Sequence, residues 1–85
     1  MVVNVEELLS QPHVRFSLVL RASGLTQREF GDLLDASQVS VSHWATGRRP
    51  IPERAVATLA RLTEVDPAWL RGETAIQTYV LAHIS

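Results

Sequence analysis

Apolar residues recur at helical spacing along most of this chain, and capping residues or helix breakers punctuate almost every gap between them. Asn4 with Glu7 three residues on has the form of a capping box, opening a short first helix over 5–9. Ser10, Gln11 and Pro12 open a second helix whose inward positions are Phe16, Val19 and Leu20, and Gly24 stops it. Thr26 and Glu29 form another capping box, ahead of a helix with Phe30, Leu33 and Leu34 facing in. Ser37 is the natural N-cap of the next helix, in which Val41 and Trp44 face in and Gly47 is the stop. Pro52 opens a long helix with a core face of Val56, Leu59, Ala60 and Leu62. Asp66 followed by Pro67 combines a capping side chain with the fixed φ favoured at a helix start, and Trp69 and Leu70 pack before Gly72.

The end of the chain, from Thr74, supports two readings. Ile76, Tyr79, Val80 and Ile84 fit a helical stripe, whereas Ile76, Thr78, Val80, Ala82 and Ile84 alternate as in a strand. The all-helical context favours the helix. The pattern as a whole predicts an all-α domain of five or six helices joined by short connections.

Within this pattern, TQREFGDLLDASQVSVSHWATGRR, residues 26–49, reads as two short helices joined by a tight turn. The second carries polar side chains on the face that Val41 and Trp44 leave free, then ends at a Gly followed by two Arg. That is the equipment for laying one helix in a DNA major groove and gripping the phosphates beside it. Gly31 falls where the two helices should cross. A mid-helix Gly costs on the order of 1 kcal/mol relative to Ala, so its presence predicts a tight contact there.

Composition narrows the field. Eighty-five residues with 46% hydrophobic and 20% charged content specify one small packed domain rather than a disordered chain. Cysteine is absent, which excludes disulfides and thiolate metal sites. No apolar run approaches the roughly 20 residues of a membrane helix, and the acidic N-terminus lacks the basic start of a secretory signal. A cytoplasmic location is the expectation.

The net charge of −1 lends nucleic-acid binding no support, but its distribution is compatible with it. All eight basic residues are Arg, and six of them (Arg15, Arg21, Arg28, Arg48, Arg49, Arg54) lie between 15 and 54 against four acids. Arg15, Arg21 and Arg28 are expected to face solvent. His13, His43 and His83 have no metal-ligand spacing, and neither a phosphate loop nor a nucleophile with a fitting base appears. The expectation is a protein that is not an enzyme and needs no cofactor or metal.

The stretch GLTQREFGDLLDASQVSVSHWATGRRPIP, followed by LARLTEVDPAWLRGE, resembles the DNA-binding domain of lambda-repressor-like and Cro-like phage and bacterial regulators. The resemblance covers roughly residues 14–72 and implies a compact five-to-six-helix domain with a helix-turn-helix. Residues 1–13 would be an N-terminal extension with a short helix, and 73–85 a C-terminal segment. Two positions depart from the family pattern: Asp35 stands where the turn usually has Gly, and Ala45 where many relatives carry an acid.

Carried over position by position, the resemblance implies that Gln38 reads adenine, with Val39, Ser42 and His43 on the same face. Val39 would touch a thymine methyl and Ser42 would take either role. His43 has two readings, a donor to guanine N7 or O6 and a plain surface histidine. Gln27, Arg28, Ser40, Thr46, Arg48 and Arg49 would hold phosphates, fixing register while the others choose sequence.

The partners implied are double-stranded operator DNA and a second copy of the chain, with the tail residues Ile76, Tyr79, Val80 and Ile84 as the candidate dimer surface. Folding of that tail back onto its own core is the competing reading. A different class of role also fits this fold: an antitoxin that masks a protein toxin through its terminal segments, with DNA binding secondary.

Overall fold

The computed structural model describes residues 5–74, and among them every regular element is a helix. In chain order these are α1 (Val5–Leu9), α2 (Pro12–Ser23), α3 (Gln27–Leu34), α4 (Gln38–Thr46), α5 (Glu53–Thr63) and α6 (Pro67–Leu70). The tail residues Ile76, Tyr79, Val80 and Ile84, with the choice between helix and strand, lie outside the described residues. So does Asn4 of the first capping box.

Each helix end has a local cause. Thr26 Oγ1 accepts the Glu29 N–H at 3.0 Å while Glu29 Oε1 accepts the Thr26 N–H at 2.9 Å, so the predicted capping box is closed. Ser37 Oγ accepts the Ser40 N–H at 3.1 Å, and Asp66 Oδ1 accepts the Ala68 N–H at 2.9 Å. Helix α2 is different: its cap is Gln11, which supplies no side-chain bond, while Ser10 Oγ donates back to Glu7 O. Ser10 therefore finishes α1 rather than capping α2. Two helices end on non-glycine residues in the left-handed region, α3 at Asp35 (φ 55) and α5 at Glu64 (φ 61).

Phe16 of α2 is fully buried and lies at the centre of the core. Its ring meets Phe30 of α3 edge-on at 5.7 Å between centroids and Trp44 of α4 at 6.5 Å, also edge-on. Burial of one such side chain stabilises by ~1.5–3 kcal/mol, and each edge-to-face pair adds ~0.5–1.5 kcal/mol. Val19, Leu20, Leu34, Val41, Ala55, Val56, Leu59, Ala60, Val65, Trp69 and Leu70 complete the core. Helix α2 is thus the shared support on which α4, α5, α6 and α1 pack.

Three further sequence expectations fail. Leu33 and Leu62, whose spacing predicts inward positions, are 58% and 50% exposed. At about 100° per residue, Leu33 points roughly 110° from the mean direction of the buried Phe30, Gly31 and Leu34. Leu62 points roughly 90° from the mean of Ala55, Val56, Leu59 and Ala60, so Ala55 takes its place.

The third failure is Arg15, expected in solvent and found buried. Its Nε donates to Leu9 O at 2.6 Å, and Nη1 donates to Trp69 O at 2.7 Å and Thr74 O at 3.0 Å. The guanidinium carbon also lies 4.9 Å from the centre of the Trp69 ring. Carbonyls and an aromatic face satisfy this cation, and burial lowers its pKa from the ordinary arginine value.

Candidate nucleic-acid interface

The turn between α3 and α4 packs back against Gly31 of α3. A Cβ there would lie 2.6 Å from Ala36 O and 3.3 Å from Val41 Cγ2, so only glycine lets the turn pass this close. Ala36 N–H donates back to Gly31 O at 2.8 Å, and Asp35 supplies the left-handed residue that reverses the chain. The predicted tight contact is present, made by the turn's own carbonyl together with the first inward residue of α4. From the other side, Arg54 Nη1 donates to Leu34 O at 2.8 Å and ties the start of α5 to the end of α3.

Val41 and Trp44 are buried, at 0% and 6% exposure, and they fix the rotation of α4 about its axis. With about 100° per residue, Gln38, Ser42, Thr46, Val39 and His43 then fall within an arc of about 140° on the opposite side. Gln38, Val39 and Thr46 are exposed, Val39 at 62%, while Ser42 and His43 are half-buried. The His43 Nδ1 is sealed and has no hydrogen-bond partner among the described residues, so Nε2 is the nitrogen left to face outward.

The expected phosphate residues divide. Arg48 and Arg49 are exposed, and their backbone N–H groups both donate to His43 O, at 2.9 and 3.2 Å, which fixes the turn that carries them. Arg28 is exposed and Gln27 half-buried in the first turn of α3, between the Thr26 and Glu29 N–H groups that the capping box takes up. In that same turn the Thr26 N–H holds the Glu29 carboxyl below the usual carboxylate range.

Two hydroxyls are already engaged. Ser40 shares a 3.0 Å bond with Ser37 Oγ, and Thr46 Oγ1 donates to Ser42 O at 2.9 Å. Ser40 also falls on the flank of α4 next to Trp44, away from the arc of Gln38.

Of the six Arg in the basic window, Arg15 and Arg54 are used on carbonyls inside the fold. Arg21, Arg28, Arg48 and Arg49 remain exposed and, among the described residues, without an ion pair. Ala45 faces the side of α2, where it shares a shallow recess with Val14, Ser17, Leu18 and Arg21. No group of His, Asp and Glu among the described residues has metal-ligand geometry, and no described helix is long and apolar enough to cross a membrane.

Sequence reasoning missed His13. Its ring packs on Gly47, the left-handed residue that ends α4, and no local signal points there because the two lie in different helices.

Comparison with known proteins agrees with this geometry. A family model described as a helix-turn-helix domain matches residues 19–71, which span α3, the turn and α4 and most of the helices packed on them. No curated protein and no solved structure matches the chain. The chain belongs to the helix-turn-helix domain family, consistent with its lambda-repressor-like pattern, and its domain is that of a DNA-binding regulator.

Proposed function

We propose that the chain is a sequence-specific transcriptional repressor that binds a palindromic operator as a homodimer, with α4 inserted in the major groove. The observation that carries this reading is the free polar arc of α4, flanked at its C-terminal end by the exposed Arg48 and Arg49. Gln38 reads adenine through its amide, Val39 contacts a thymine methyl, and Ser42 and the Nε2 edge of His43 contact neighbouring bases. Gln27, Arg28, Arg48 and Arg49 hold the backbone; Ser40 and Thr46 assist by exchanging their internal bonds for phosphate oxygens.

One such domain covers a half-site. Dimerisation sets two recognition helices about 34 Å apart on one face of the duplex and raises affinity through effective concentration. Residues 73–85 supply the dimer contact in this reading, through Ile76, Tyr79, Val80 and Ile84.

Footprinting on the DNA flanking the gene identifies the operator, and two variants then separate the roles. Gln38→Ala weakens cognate binding by about 1–3 kcal/mol and relaxes discrimination at one base pair. Arg48→Ala weakens cognate and random DNA alike and lowers the slope of log affinity against log salt by about 0.9. Equal losses on both DNAs for Gln38→Ala would remove it from the base-reading face.

A further inference from the structure

The side chain of His13 lies against the turn that carries the two exposed arginines. A Cβ on Gly47 would come within 2.9 Å of its Nδ1, 3.1 Å of Cγ and 3.2 Å of Cε1, so the imidazole sits directly on the last turn of α4. The two residues after Gly47 are Arg48 and Arg49. His13 and Arg49 line one open cleft of about 430 Å³, together with Pro50, Ile51, Glu53 and Arg71.

The charged residues that line the cleft with His13 are Arg49 from the turn, Glu53 from α5 and Arg71 from the end of α6. Glu53 is already taken, because the Arg71 guanidinium grips both of its oxygens. Among the described residues the imidazole of His13 has no hydrogen bond or ion pair of its own. Histidine changes charge between about pH 5 and 8, and a proton gained here finds no carboxylate free to receive it. A DNA phosphate held by Arg48 and Arg49 would supply that missing anion.

The geometry points to His13 as a pH-gated member of the phosphate grip, an assignment that rests on the DNA-binding reading above. Neutral His13 adds little. Imidazolium adds one cation beside Arg49, so DNA binding takes up a proton and tightens as pH falls. A phosphate that raises the histidine pKa by one unit strengthens binding tenfold below the titration, and half a unit gives about threefold.

The test measures binding of the full chain to a random-sequence duplex, since phosphate contacts ignore sequence, at pH 6 and pH 8 over a range of salt. Wild type should bind about two- to sixfold more tightly at pH 6 than at pH 8, because pH 6 lies within the histidine range, with a salt slope steeper by about 0.9. His13→Gln should keep the pH 8 affinity and lose both changes. His13→Lys, with a fixed charge, should bind at pH 8 as wild type does at pH 6. Its pH profile should be flat, a result that a purely packing role for the ring does not give. His43→Gln controls for the histidine on the recognition helix and should retain the pH-dependent gain. If His13→Gln keeps the pH response of wild type, the assignment to His13 is wrong while the DNA-binding reading stands. No DNA binding at any pH overturns both.

Discussion

Gly31→Ala sets two effects against each other. The residue lies inside α3 with ordinary helical φ, so alanine there improves helix propensity by about 0.5–1 kcal/mol. Against this, the new methyl would start 2.6 Å from Ala36 O, where ordinary contact begins near 3.4 Å, leaving a gap of 3.4 − 2.6 = 0.8 Å to open. The clashing atom is a backbone carbonyl in a turn held by the 2.8 Å bond from Ala36 N–H to Gly31 O, so it cannot rotate away as a side chain would. Val41 Cγ2, at 3.3 Å, obstructs the other side. Forced overpacking costs ~1–3 kcal/mol, and a rigid backbone neighbour belongs in the upper part of that range. The net expectation is a loss of about 1–2 kcal/mol. For a domain of this size that lowers Tm by about 5–15 °C. Thermal unfolding followed by circular dichroism reads the change, and DNA binding well below the transition reports whether α4 has moved. A Tm equal to or above that of wild type would show that the turn yields easily and that the close approach at Gly31 sets nothing.

Two further substitutions test other parts of the fold. Asp35→Gly should raise Tm by about 2–4 °C, because glycine relieves the left-handed strain at φ 55 by more than it loses in unfolded-chain entropy; a lower Tm refutes the strain. The same change removes a carboxylate from the turn and should tighten binding to any DNA at low salt, with the gain fading as salt rises. Arg15→Met leaves the carbonyls of Leu9, Trp69 and Thr74 without their donor and should cost about 2–4 kcal/mol in urea unfolding, whereas an unchanged midpoint would mean that water replaces the guanidinium freely.

What the sequence revealed was what it encodes locally. Thr26 with Glu29, Ser37 with Ser40 and Asp66 with Ala68 are partners two or three residues apart, so each cap was readable without knowing the fold. The reading arc of α4 followed by subtraction once Val41 and Trp44 were assigned inward. The misreadings concern partners far along the chain. Arg15 looked like a surface arginine because its acceptors at Trp69 and Thr74 lie 54 and 59 residues away. Arg54 falls in the basic window of the sequence, yet it holds Leu34 O, 20 residues before it. Leu33 and Leu62 carry the apolar character of a core stripe but sit beyond its edge. Periodicity does not locate that edge, because it depends on how widely the neighbouring helices spread over each face.

The placement of Phe16 bears on any attempt to transplant this recognition surface. Because one aromatic ring from α2 supports both members of the motif, a peptide trimmed to residues 26–49 would keep the base-reading side chains and both turn arginines and lose the support beneath them. Helices this short do not hold their shape alone in water. Borrowing the binding specificity for another scaffold therefore means carrying α2 along, or building an equivalent hydrophobic anvil in the host.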